Sequence, residues 1–264
     1  MNRNGPVALV CHSLFVIFML APLIVVMWMS LTPSNLLSLP TTSFSLRWFR
    51  AILANPQFVS AFWMSIVLGV VAATCAMALA VPAALALARH SFPGREALVG
   101  LFLSPLIIPH VVLGVAFLRF FTQVNITGST AGLLASHVLI IFPYGLRLVL
   151  AALTAADPAI ERAAISLGAS SWTVFRRVVF PLMIPGVAGG WVISFIQSFD
   201  EVTMTVFVAT PSSMTLPVKM YHYIEESIDP LVASVSTVVI LLTFLLMVVV
   251  DRIYGLDRML VGKG

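Results

Sequence analysis

Six long stretches of almost unbroken apolar residues dictate what this chain can fold into. A helix needs about 20 such residues to cross the hydrocarbon core of a bilayer. The stretches run over Val7–Leu31, Phe58–Ala88, Ala97–Phe121, Thr130–Leu150, Pro185–Val208 and Leu231–Val250. In lipid, every backbone N–H and C=O must be satisfied inside its own segment, which makes each stretch a helix. The expected fold class is all-α, a polytopic membrane protein with six transmembrane helices. Only 9% of the 264 residues are charged, against about 25% in soluble domains, so little chain remains for a separate soluble domain. Pro82, Pro105, Pro109 and Pro143 fall inside the spans and predict kinks, strongest at "SPLIIPH".

The basic residues sort to the span ends. Arg3, Arg89, Arg95, Arg147, Arg162, Arg176, Arg177, Arg252, Arg258 and Lys263 border one side; Arg47, Arg50, Arg119 and Lys219 border the other. Ten against four places the first side, and with it both termini, in the cytoplasm. This scatter also sets aside nucleic acid as the reason for the net charge of +4, since no basic stripe carries interleaved aromatics. Cys11 and Cys75 both lie in apolar runs, which excludes a disulfide framework. The apolar run at the start is too long for a cleaved signal and reads as a retained first span. Residues 1–57 are expected to hold that span and an outer loop with a short interfacial helix, whose Leu46, Phe49, Ile52 and Leu53 share a face while Trp48 sits at headgroup depth. Residues 58–264 are expected to form a core of five spans.

Between spans four and five the chain turns polar, over "DPAIERAAISLGASSWTVFRRVVFP" at 157–181. Asp157 is placed to N-cap a helix with Pro158 at its first position. That helix runs through "AIERAAISL" and stops at Gly168, the residue suited to the left-handed C′ position. Ser170 or Ser171 caps a second helix, "WTVFRRVV", which Pro181 and Pro185 are expected to end before span five. An isolated helix of about ten residues is unstable in water. Something must pack on it, either its own bundle or another protein.

The stretch "RAAISLGASSWTVFRRVVFP" resembles the EAA loop of type I ABC importer permeases. The family pattern is Glu-Ala-Ala, three residues, Gly, nine residues, Ile-x-Leu-Pro. Ala163, Ala164, Gly168 and Pro181 fall in register; Val178 stands for the Ile and Phe180 for the Leu. Arg162 holds the family's Glu position, with Glu161 one residue earlier, and a shift of one residue turns a helical side chain by about 100°. The resemblance extends from about Pro56 to Tyr254. "LSPLIIPHVVLGVAF", "FPYGLRLVLAAL", "SFIQSFDEVTMTVFV" and "TLPVKMYHYIEESIDP" are similar to the polyamine (spermidine/putrescine) branch of that family, in particular its second permease subunit.

The resemblance implies the MetI-like permease fold of type I importers and a multi-pass place in the bacterial inner membrane. It implies a homologous partner permease, an ATP-binding-cassette ATPase dimer and an external substrate-binding protein. Glu161, Arg162, Ala163, Ala164, Leu167 and Gly168 would form the ATPase-coupling surface. The motor subunits would close on ATP, draw the two loops together and open the path outward, and hydrolysis would reset it. ATP and Mg²⁺ belong to those partners: the only Gly-Lys pair, Gly262-Lys263, lacks a Walker A loop. The chain is expected to hold no cofactor and to be no enzyme, having no H-E-x-x-H and no G-x-S-x-G.

Substrate chemistry rests on the acids. Asp200 and Glu201 lie in the fifth apolar stretch, where an unpartnered charge costs about 2.5–3.5 kcal/mol on insertion scales. They require a water-filled cavity, a basic partner or a break in the helix. The functional expectation is a path for a small cation, drawn in by Asp200 with Glu201 and Gln197, with Trp191, Phe195 and Phe199 offering cation–π contacts. The competing reading pairs Asp200 with Arg119 or uses it to cap a broken helix. His110 and His137 read as satisfied structural histidines, and Glu225, Glu226 and Asp229 as a solvated face. His222 with Glu225 falls short of a metal site. Other solutes of the family (amino-acid-like compounds, opines, phosphonates, thiamine, ferric iron) are the alternatives. The rival class is an ion-coupled secondary transporter, against which stands the lack of repeated halves.

Overall fold

A computed structural model describes residues 5–39 and 43–254; Arg3, Arg258 and Lys263, used above to orient the chain, lie outside the described residues. The described elements are helices: α1 (Pro6–Met29), α2 (Arg47–Ala54), α3 (Pro56–Arg89), α4 (Arg95–Leu103), α5 (His110–Gln123), α6 (Thr130–Ala155), α7 (Pro158–Ser166), α8 (Ser171–Val174), α9 (Phe180–Phe199), α10 (Thr205–Val208), α11 (Leu216–Glu226) and α12 (Leu231–Tyr254). Five stretches are long and apolar enough to cross a membrane: Val7–Met29, Pro56–Arg89, Thr130–Ala155, Ser171–Phe199 and Leu231–Val249. A sixth passes as a bent pair, Arg95–Leu106 with His110–Gln123, which meet at 98°. The bend falls at "SPLIIPH", the site of the predicted kink. A 3₁₀ turn over Ser104–Leu106 precedes it, and Pro109, which has no N–H to continue the ladder, takes ψ 132° as the N-cap of α5.

The chain divides into two compact units. One comprises the first 60 residues with Met220–Val250, the other Ala61–Lys219 with the residues from Asp251 onward. In the first unit α1 buries none of its apolar window, as expected of a helix solvated by lipid. The short helix α2 forms where its amphipathic pattern places it. Trp48 donates from Nε1 to the Ser34 carbonyl at 3.2 Å, and the Arg47 guanidinium lies 4.6 Å over the indole. Asp229 caps α12 through the Leu231 N–H at 2.9 Å and accepts from the Tyr223 hydroxyl at 2.6 Å.

The second unit is organised by the contact of α6 with α9, made through glycines. A Cβ at Gly186 would stand 2.6 Å from both the Leu148 carbonyl oxygen and Ala152 Cβ; one at Gly190 would stand 3.3 Å from Gly145 Cα. Between lipid-embedded helices such small-residue surfaces supply the packing that water-driven burial supplies elsewhere. Apolar clusters flank this seam, one around Leu133, Ile140, Ile141 and Met204, the other around Leu146, Val149, Val179 and Met183.

Two sequence expectations need correction. The second loop helix does not end at Pro181 and Pro185: α8, a π turn over Phe175–Val179 and α9 run continuously from Ser171 to Phe199. The Phe180 N–H bonds the Phe175 carbonyl across the wider turn. Pro181 follows directly on the π turn, whose re-routed hydrogen bonds let the helix pass the proline without ending. The fifth span therefore ends at Phe199 and does not reach Val208, which belongs to the separate α10.

Candidate functional site

Two sites emerge within the second unit. The first lies where two helices stop. Asp200 is the C-cap of α9 (φ −88°, ψ −2°), its N–H bonded to the Ile196 carbonyl at 3.0 Å. Of the three outcomes that a charge in this stretch allowed, Asp200 has the helix break together with a cavity, and Glu201 has a basic partner in His110. Asp200 and Arg119 form no ion pair among the described residues. The broken third span restarts at His110. The two breaks meet at a cavity of about 360 Å³ whose polar lining is His110, Gln197, Asp200, Glu201 and Thr203.

The two acids differ in what holds them. Glu201 is 8% exposed. Its Oε1 accepts the Met204 N–H at 2.7 Å, and its Oε2 accepts from Nδ1 of His110 at 2.5 Å. His110 is the first residue of α5, so this carboxylate also lies beside a helix N-terminus, which favours an anion. Asp200 is exposed and makes no ion pair among the described residues. It stands at the carboxyl end of α9, where the last carbonyls lack helical partners and add negative potential. One carboxylate is compensated; the other, on the same cavity, is not.

The rings are elsewhere. Trp191 and Phe195 stack at 5.7 Å with 3° between planes, and Phe195 meets Phe199 at 6.0 Å. Trp191 donates from Nε1 to Thr74 Oγ1 at 3.1 Å, Phe195 covers Gly69, and Phe199 meets Phe62 at 6.5 Å. This i, i+4, i+8 ladder packs α9 on α3, and none of its rings lines the cavity. Of the expected path residues the structure thus gathers Gln197, Asp200 and Glu201 and leaves Trp191, Phe195 and Phe199 in a helix contact. It adds His110, whose acid partner lies 91 residues away in sequence. His137 is buried with both ring nitrogens paired, Nδ1 with Ser198 Oγ at 2.8 Å and Nε2 with Thr205 Oγ1 at 3.1 Å, the structural role read from sequence.

The second site is the helix–glycine–helix loop. Asp157 Oδ1 accepts the Ala159 N–H at 2.8 Å, with Pro158 at the first position of α7. At the other end Gly168 has φ 83°, its N–H reaching the Ile165 carbonyl (2.9 Å) while the Ala169 N–H reaches Ala164 (3.2 Å). Both bonds of a Schellman motif are present. Ser170 caps the next helix through the Thr173 N–H at 3.3 Å. Glu161 pairs with Arg89 at the end of α3. Ala164 packs inward, whereas Arg162, Ala163, Leu167 and Gly168 are exposed. Leu167 is 88% exposed, Trp172 68% and Ile165 55%.

Residues 76–256 match the family described as "Binding-protein-dependent transport system inner membrane component". The spermidine/putrescine transport system permease protein PotC of Escherichia coli (strain K12) is 31% identical over 215 residues, 81% of each chain. The putrescine transport system permease protein PotI of the same strain is 28% identical over 230 residues, 84% of this chain and 82% of that one. Among solved structures, a chain of a bacterial ABC transporter involved in the import of the acidic polysaccharide alginate superposes with a TM-score of 0.76. It covers 96% of this chain and 99% of its own, at 16% identity. That likeness concerns the fold.

Proposed function

Because this chain belongs to the family of binding-protein-dependent transport system inner membrane components, we propose that it forms half of an importer's translocation path for a small cation of the polyamine class. It is a multi-pass inner-membrane ABC importer permease, a transport subunit and not an enzyme. Permeases of such importers work with an ATPase and a substrate-binding protein. In our reading the partners here are a homologous permease, an ATP-binding-cassette dimer that holds ATP and Mg²⁺, and an external binding protein. Both termini and α7 face the cytoplasm. The motor closes on ATP, moves α7 and opens the path outward; hydrolysis returns it inward, as in other two-state transitions.

The uncompensated carboxylate of Asp200 carries the choice of a cation. It opens on the cavity with Gln197 beside it, at a helix end whose potential is negative. An ammonium fits that position, and an anion is disfavoured there. The polyamine transport for which PotC and PotI are named points the same way.

The test is uptake of labelled spermidine and putrescine by the assembled importer carrying Asp200→Asn. Losing a charge-assisted hydrogen bond, about 1.5–3 kcal/mol, lowers transport by about tenfold or more while the complex still assembles. An assembled complex with undiminished uptake removes Asp200 from the path. Transport by this chain reconstituted alone, without an ATPase, would favour the ion-coupled rival.

A further inference from the structure

Resting on the reading that α7 docks the motor subunit, we infer that the sign of that contact is fixed by Arg162. The groove receiving α7 carries an acidic side chain opposite it. Both acids of the loop are already engaged. Glu161 is bound to Arg89, with the two side chains 24% and 33% exposed, and Asp157 caps its own helix. One residue on, and turned by about 100°, Arg162 is exposed and joins no ion pair among the described residues. Arg176 and Arg177, in the π turn beyond α8, are exposed and unpaired in the same sense.

With its two carboxylates held by a salt bridge and a helix cap, the surface of this loop therefore offers arginines that join no ion pair among the described residues. Beside them stand Ile165, Leu167 and Trp172, each more than half exposed. Capped at both ends, α7 is a preformed rod and suits a groove with apolar walls. Charge complementarity then makes the groove acidic, since juxtaposed like charges would oppose association. In loops that carry Glu where this chain has Arg162, the demand on the partner is the opposite. The motor subunit that fits this chain is therefore not interchangeable with one fitted to a glutamate.

The experiment uses the full importer, purified from membranes through a tag on this chain, and measures the ATPase subunit retained per permease together with ATP-driven uptake. Arg162→Glu lowers retention about tenfold or more, Arg162→Lys keeps it within about twofold, and raising the salt weakens the unmutated complex more than Arg162→Ala. The charge swap Arg89→Glu with Glu161→Arg preserves assembly, because that pair is internal. Full retention and full uptake with Arg162→Glu would overturn the inference. Leu167→Asp separates the two levels. If it expels the ATPase while Arg162→Glu does not, the charge assignment alone falls; if neither affects retention, the docking role of α7 falls with it.

Discussion

Replacing Glu201 separates the structural acid of the cavity from the one assigned to substrate. Glu201→Ala removes the acceptor of the Met204 N–H, and Met204 is fully buried. An orphaned buried donor costs about 1–3 kcal/mol. The His110 bond is lost too, but that ring is 28% exposed and opens on the cavity, where water takes over part of the bond, leaving about 1 kcal/mol. The sum is about 2–4 kcal/mol, which lowers the unfolding midpoint of the purified complex by on the order of 10 °C. Glu201→Gln retains Oε1 for Met204 and turns its amide N–H₂ toward Nδ1 of His110 in the other tautomer, at a cost of about 1 kcal/mol or less. Thermal unfolding in detergent, with polyamine uptake in parallel, reads both effects. The Gln variant is expected to melt near the unmutated protein and to transport within about twofold, whereas Asp200→Asn is stable and transport-deficient. Equal midpoints for Glu201→Ala and the parent, or a Gln variant as unstable as the Ala one, would refute the reasoning.

The close seam of α6 and α9 makes Gly186→Ala costly. With its Cβ 2.6 Å from the Leu148 carbonyl oxygen, the helices must separate, at about 1–3 kcal/mol, whereas Gly100→Ala, with nothing within 4 Å, leaves the melting temperature unchanged or raised. Burial, with the hydrogen bond to Asp229 and its charge, pushes the Tyr223 phenol up from 10.0 to about 12. A folded value above the unfolded one means that this contribution to stability is complete below pH 10 and is lost as pH rises through about 12. Ultraviolet titration should show a tyrosine that ionises at about pH 12 and is absent in Tyr223→Phe.

What could be read in advance divides along sequence distance. Hydropathy is a local signal, and it marked five spans and the bent pair, though it set the bounds of the fifth too far along the chain. The loop's caps were legible for the same reason: Asp157, Pro158, Gly168 and Ser170 act within five residues of themselves. Pro181 was misread because a proline stops a helix only if the backbone cannot rearrange, and a π turn did so. The end of α9 at Phe199 has no proline or glycine to announce it; it coincides with Glu201 binding Met204 and the distant His110. The aromatic ladder was visible as a stripe, but in lipid an apolar stripe does not say whether it faces a path or a neighbouring helix.

The unbroken helix from Ser171 to Phe199 bears directly on how an importer of this kind is driven. Its 29 residues span about 43 Å at 1.5 Å each, with the cap of the helix–glycine–helix loop at one end and Asp200 at the other. Had Pro181 and Pro185 broken it, a displacement of the loop would have been absorbed at a hinge before reaching the cavity. Instead the π turn keeps the helix continuous, and the glycine seam with α6 leaves no slack for α9 to bend alone. A second link runs in parallel: Glu161 ties α7 to the end of α3, and α3 carries Thr74, Gly69 and Phe62 against the aromatic face of α9. A force on α7 thus arrives at α9 through two routes that converge on the helix whose end bears the free carboxylate. Close-packed elements respond by moving as bodies between discrete arrangements. In such an arrangement Asp200 cannot keep its surroundings while α7 moves, and under the proposed function this is what would tie the exposure of a bound cation to the state of the motor.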